Sequence, residues 1–206
     1  MKNWIRFIFK AILYAWTIVY GKMCTGVFKF SLVLNGVRYG RGLKCFNSVP
    51  VLLINRHSGL VTIGNNVIFN SYTGHSWYSK CKLVVLGNAS LSIGDNSGMN
   101  GVMVYCSQEI RIGKYVKIGG GTRITDSNHH SLDYKTRRTS EDFKCVKSAP
   151  VIIGDDVFIG ANCYIGKGVS IGDRSIVAAG SVVVKSIQAD EIWGGNPAKF
   201  IKKINL

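Results

Sequence analysis

Two adjacent histidines, His129 and His130, sit in a polar, charged stretch, TDSNHHSLDYKTRRTSEDFKCVKSAP. An imidazole ionises near pH 6.5, so at neutral pH it can take the proton of a hydroxyl that is otherwise a poor nucleophile. Asp126, three residues before His129, could orient such a ring or could be an ordinary turn residue. Without further context a histidine pair in a polar segment is more often solvated than catalytic, and His57, His75 and His130 are read that way. Neighbouring residues rarely aim at one metal ion, which argues against joint zinc ligation by His129 and His130, and no metal is required. The six cysteines (Cys24, Cys45, Cys81, Cys106, Cys145 and Cys163) form no C-x-x-C pair. They read as the reduced thiols of a cytosolic protein, not a disulfide framework.

The element that must position this chemistry is a repeat. From Val151 to Val184, Ile153, Ile159, Ile165, Ile171, Val177 and Val183 fall six apart. Glycine follows the first four and alanine the fifth. A second register two residues earlier (Val151, Val157, Cys163, Val169, Ser175 and Ser181) is small or β-branched, as a narrow interior demands. Ile110-x-Ile112-Gly113, Val116-x-Ile118-Gly119 and Thr122-x-Ile124 are earlier steps, with Val61-x-Ile63-Gly64 and Leu91-x-Ile93-Gly94 before them. A period of six fits neither an α-helix nor an ordinary meander and marks a parallel β-helix. Three hexads close one triangular coil, and coils stack about 4.8 Å apart. Handedness does not follow from the repeat.

Between Ile124 and Ile153 the spacing jumps out of phase, so residues 125–150 read as a loop extruded from one coil, and long loops on regular scaffolds are often functional. That position raises His129 above an ordinary solvated histidine. A smaller interruption covers Tyr72–Lys80 and includes His75, Trp77 and Tyr78.

The net charge of +15 is uneven. No acidic residue precedes Asp95, whereas eleven basic ones do: Lys2, Arg6, Lys10, Lys22, Lys29, Arg38, Arg41, Lys44, Arg56, Lys80 and Lys82. Such a half implies an anionic neighbour, either membrane lipid or a phosphorylated substrate. Nucleic acid is the weakest reading of that charge, because no recognisable binding module accompanies it, and no nucleic-acid partner is expected. Residues 1–34 form a basic, hydrophobic segment ahead of a β-helix over 35–192 and a tail over 193–206. Within that segment the uncharged run Ala11–Tyr20 is about half of the roughly 20 residues that span a bilayer. No small-x-small cleavage site follows it. Lys2, Arg6 and Lys10, four apart, form one cationic line on a helix. Such a helix suits a membrane interface, or else packs on the protein or on a neighbouring subunit.

IGDDVFIGANCYIGKGVSIGDRSIVAAGSVVV followed by GGNPAKFIKKI resembles the C-terminal half of the hexapeptide acetyltransferases. The galactoside, maltose, colanic acid and capsular polysaccharide O-acetyltransferases are the branch it looks like, over roughly residues 60–204. The resemblance implies a left-handed parallel β-helix, a homotrimer with active sites between subunits, and acetyl-CoA as co-substrate. It places the catalytic base at His129, with His130 where relatives often carry proline, and an acceptor-positioning asparagine at Asn100. It places cofactor contacts at the main chain of Ala161 and Ala179 and phosphate contacts at Lys185, Lys199 and Lys202. The implied activity is acetyl transfer to a hydroxyl of a cell-envelope saccharide, by direct attack and without an acyl-enzyme. Transfer to an amino sugar, and a non-catalytic β-helical scaffold, are the alternatives. The basic segment before residue 50 departs from the sugar acetyltransferases and points to a lipid-linked acceptor, with the protein cytoplasmic and peripheral at the inner face of the membrane.

Overall fold

The computed structural model describes residues 2–55, 57–71 and 79–205; the side chains of Lys2, Asn3 and Ile5 lie outside the described residues. So do His75, Trp77 and Tyr78 of the smaller interruption.

Three parallel sheets form the faces of a triangular prism. The first holds 38–39, 61–63, 90–93, 109–112, 151–153 and 170–171 in spatial order. The second holds 44–46, 68–70, 98–100, 117–118, 158–159 and 176–177, and it is extended by 191–195 and the antiparallel strand 198–203. The third holds 51–54, 82–85, 103–106, 123–125, 164–165 and 182–183. The chain visits one strand of each sheet in turn, so each circuit is one coil. Ile112, Ile153 and Ile171 stack in register on the first face, Ile118, Ile159 and Val177 on the second, and Ile124, Ile165 and Val183 on the third. All nine are 0–3% exposed, so the hexad position is the core.

The lower coils use the same positions with less regular residues. Cys45, Phe69, Leu83, Val85, Met99, Val104 and Cys106 are buried there. Burial pushes the thiols up, to about 12 for Cys45, about 11 for Cys81 and about 12 for Cys106, where the Asp126 carboxylate adds to the effect. These cysteines are packing residues, and Cys163, also raised by burial, is another.

The N-terminal segment is a single helix, α1, over Lys2–Leu34. Its C-terminal half closes the open end of the prism. Cys24, Phe28 and Leu32, four residues apart on one face, are buried, and the Phe28 ring meets Phe69 edge-on at 5.1 Å. Full burial of Phe28 and Leu32 contributes roughly 1.5–3 kcal/mol each. Thr25 Oγ1 donates to the Cys45 carbonyl at 3.0 Å and accepts from the Cys45 N–H at 2.9 Å. Strand 44–46 is the edge of its sheet, so one threonine satisfies backbone groups that would otherwise invite pairing. The N-terminal half of α1 leaves the body: Trp4, Phe7, Phe9, Ile12, Tyr14 and Trp16 are all more than half exposed.

Candidate active site

The prism has three edges, and the turns stacked along each share one chemistry. The edge between the second and third faces carries small residues: Gly119-Gly120-Gly121, Gly160-Ala161 and Ala178-Ala179-Gly180. A side chain at Gly160 would lie 2.5 Å from the Ala179 nitrogen, and one at Gly119 would meet the Ala161 nitrogen, so glycine is required where the turns stack this closely. Among the described residues neither the Ala161 N–H nor the Ala179 N–H donates to an acceptor. The edge therefore presents a rising line of main-chain donors. Lys199 stands at its top, paired across the hairpin with Gly194, and Lys202 lies further along the same strand. Asn100 stands at its foot, where its Oδ1 accepts from Asn70 Nδ2 at 2.6 Å. It borders a cavity of about 230 Å³ shared with Lys117 and Phe158.

His129 occupies a different edge, between the third and first faces, just after strand 123–125. Its backbone has φ 64°, a left-handed turn uncommon for histidine, supported by the His129 N–H donating to Ser127 Oγ at 3.1 Å. That turn folds the ring back so that Nε2 lies 3.2 Å from Thr125 Oγ1 and the ring packs edge-on against Tyr105 at 4.4 Å. The imidazole is held on one nitrogen and one edge, and the residue is exposed. Neither Thr125 nor Tyr105 was among the expected site residues. A signal existed for Tyr105, which is one coil below Thr125 in register and points outward between Val104 and Cys106.

Of the two readings of Asp126, ring-orienter or turn residue, its hydrogen bonds match the second. Its side chain is fully buried and saturated: Oδ1 accepts from the Ser107 N–H and Oγ, both at 2.8 Å, and Oδ2 from the N–H groups of Gln108 and Glu109 at 2.7 and 2.8 Å. Asp126 staples the loop's base to the turn one coil below.

The extruded loop begins at a short antiparallel neck, Ser127 against Ser148, with the Ala149 N–H bonded to the Asp126 carbonyl at 2.9 Å. Inside it, His130 Nδ1 meets Asp142 Oδ2 at 2.6 Å, while the Ser131 N–H donates to Asp142 Oδ1 at 2.7 Å. The hydrogen bond from His130 and that from Ser131 hold the Asp142 carboxyl below its ordinary range. His130 is thus committed to the loop's own structure, whereas His129 faces out at the loop's root.

Lys185 follows strand 182–183 and so shares the edge of His129, not the edge of Ala161 and Ala179. Within one chain the expected residues divide into two groups: His129 with Lys185, and Asn100 with Ala161, Ala179, Lys199 and Lys202. One face of the prism separates them, about five residues at roughly 3.3 Å each, or about 16 Å.

The model for the hexapeptide repeat of succinyl-transferase matches residues 150–185. WbbJ of Escherichia coli (strain K12), named for O-acetyl transfer in lipopolysaccharide biosynthesis, is 32% identical over 155 residues, covering 73% of this chain and 75% of WbbJ. A protein of Lysinibacillus sphaericus named as a macrolide acetyltransferase is 38% identical over 112 residues, 48% of this chain and 62% of that one. The hexapeptide-repeat acetyltransferase VCA0836 of Vibrio cholerae, solved with acetyl coenzyme A, superposes with a TM-score of 0.53 at 37% identity. That superposition covers 61% of this chain and 64% of VCA0836. The chain therefore spans less than two thirds of the Lysinibacillus and Vibrio proteins.

Proposed function

The chain belongs to the hexapeptide-repeat acetyltransferase family, whose fold is the left-handed β-helix, and we propose that it moves acetyl from acetyl-CoA to a hydroxyl of a cell-envelope saccharide. The observation that carries this reading is the exposed His129, fixed by Thr125 and Tyr105 at the root of the extruded loop. WbbJ favours oxygen over nitrogen as the acceptor atom, and VCA0836 favours acetyl-CoA as the donor.

In this mechanism the imidazole nitrogen left free by Thr125 takes the acceptor hydroxyl's proton as the oxygen bonds to the thioester carbon. The carbonyl electrons move onto oxygen, and a main-chain N–H aimed there, that of Ala161, stabilises the oxyanion in a water-poor site. Collapse of the tetrahedral species breaks the carbon–sulfur bond, and the proton on His129 passes to the departing thiolate. The raised thiols of the buried cysteines agree with direct transfer.

The division of residues between two edges supports a shared site. A base and an oxyanion donor must stand within hydrogen-bond reach of one reacting centre. Two groups about 16 Å apart in one chain cannot do so. A neighbouring copy that brings its Ala161 edge against this chain's His129 edge completes the site, and a ring of three such contacts closes.

Residues 4–19 of α1 are the segment we read as membrane-facing. Arg6–Leu34 has the length and mean hydropathy (1.3) of a crossing segment, with 11% of its most apolar window buried. Beyond Tyr20 one face of the helix is docked under the first coil through Cys24, Phe28 and Leu32. The free half exposes aromatic residues beside Arg6 and Lys10, which suits a place in the interface on the cytoplasmic side. The function is tested by following thiol release from acetyl-CoA across cell-envelope saccharides, free and lipid-linked, with amino sugars alongside. Turnover confined to amine acceptors, or no turnover with any, would overturn O-acetylation.

A further inference from the structure

We propose that the cleft between α1 and the first coil binds the phosphate end of a membrane amphiphile. The cleft measures about 430 Å³ and is walled by Lys22 and Lys29 on α1 and by Lys44 on strand 44–46, over a floor of Ile18, Leu43 and Phe46. Lys22 and Lys29 are two helical turns apart and share a face. Lys44 and Phe46 are the outward residues of a strand whose middle residue, Cys45, is in the core. Gly21 lies against the Phe46 ring, where an added Cβ would make ordinary contact with Cδ1 at 3.4 Å.

Charge selects the ligand. Among the described residues, carboxylates pair only with Arg111, His130, Lys144 and Arg174, so none of the three lysines has an acidic partner. The sequence supplies no acid before Asp95 to provide one. Three ammonium groups around one concavity repel each other until an anion enters, and a phosphate monoester carries about −1.5 to −2 charges at neutral pH.

Shape selects the rest of the molecule. On the other side of Ile18 and Phe46 lies a second cleft of about 570 Å³, lined by Tyr14, Trp16 and Tyr20 and, among the described residues, by no charged side chain. A headgroup among the lysines would pass its chain over Ile18 and Phe46 into this aromatic groove. The groove runs onto the exposed apolar half of α1, where a chain would enter the bilayer. The amphiphile's source in the leaflet rests on the membrane reading of α1; the pocket's chemistry does not.

The test compares the wild-type protein with K22Q/K29Q/K44Q, whose replaced side chains are exposed or half-buried and take no part in transfer. Short-chain phosphatidic acid, kept below its micelle concentration, is titrated by tryptophan fluorescence. The wild type should bind at least about tenfold more tightly than the variant, a difference of about 1.4 kcal/mol. Equal affinity overturns the site, and displacement by inorganic phosphate with equal affinity overturns the amphiphile. Phosphatidylcholine vesicles doped with phosphatidic acid, or with phosphatidylglycerol at matched surface charge, separate the two readings. The variant should lose the preference for phosphatidic acid yet still float with phosphatidylglycerol through α1. Short-chain binding without flotation would sink the membrane reading alone and leave the site standing. Acetyl transfer to a soluble acceptor should be unchanged in the variant.

Discussion

Replacing Asp126 with asparagine tests whether this residue serves the imidazole or the scaffold. The carboxylate accepts four hydrogen bonds from N–H and O–H groups, two on each oxygen, from Ser107, Gln108 and Glu109, and a weaker one from the Cys106 thiol on Oδ2 at 3.7 Å. Asparagine offers one acceptor oxygen and one NH₂ group. With the NH₂ at Oδ1 the Ser107 hydroxyl can turn to accept from it, so one bond to a charged acceptor disappears with the Ser107 N–H opposed, and the remaining bonds weaken by about 1 kcal/mol each on losing the charge. The lost bond contributes about 1.5–3 kcal/mol, so with the weakening the loss is about 3–6 kcal/mol. That is a large share of the stability of a typical domain, about 5–15 kcal/mol. With a urea m-value of roughly 3 kcal/mol/M, the midpoint should fall by about 1 M or more. The assay is urea unfolding followed by far-UV circular dichroism, beside the pH profile of turnover at a temperature where the variant is folded. Folded D126N should keep the wild-type profile, because no Asp126 oxygen bonds the His129 ring. An unshifted midpoint with turnover lost and the basic limb of the profile moved would refute this, and Asp126 would then act through His129.

Four further outcomes are expected. His129→Ala should lower turnover by about 100-fold or more, the scale of a lost general base, with acetyl-CoA affinity nearly unchanged; His130→Ala should be far milder, since that ring serves Asp142. Sedimentation at micromolar concentration should show a trimer, and a catalytically active monomer would sink the shared site. The full chain should float with anionic vesicles in preference to neutral ones, at about 1 kcal/mol per basic residue near the surface, and lose that preference in high salt and on removal of residues 1–20. Asp142, whose carboxyl is held low chiefly by His130 and then by the Ser131 N–H, stabilises the loop at pH values above the ordinary carboxylate range. That contribution is lost as pH falls through its lowered value, so the Ser131 amide should lose exchange protection in acid, and D142N should show no such step.

How much of the architecture could be read depended on how regular the residues were. From Val151 onward the core positions are Val, Ile and Cys at fixed spacing with glycine in the turns, and the strands follow that spacing. Below Ile110 the interior is built from Cys45, Phe69, Leu83, Met99 and Val104, while non-glycine residues take positive-φ turn positions in both regions, as at Asn66 and Asn96 below and Asp156 and Asn162 above, so the core residues and not the turns make the difference. The docking face of α1 was hidden for another reason. Apolar residues cover nearly its whole circumference, so the spacing of Cys24, Phe28 and Leu32 does not stand out from the exposed Met23, Val27 and Phe30.

The site's residues were legible one at a time, but their division between two edges was not drawn from them, although the count was available. Three hexads make a coil, so residues eighteen apart within the unbroken repeat share an edge. Ala161 and Ala179 obey this, and Lys185, six beyond Ala179, must lie on the next edge. Ile124, Ile165 and Val183 occupy one face in register, which assigns the turns after them, with His129 and Lys185, to a single edge. The inserted loop conceals the relation because it lengthens one turn without changing the face that precedes it. A straight repeat of one chain can place a base on one edge and a line of main-chain donors on another, but it cannot bring them together. In the proposed shared site a contact between copies does that. There His129 would be exposed in a single chain and yet react in a water-poor setting, because the edge covering it would come from a neighbour.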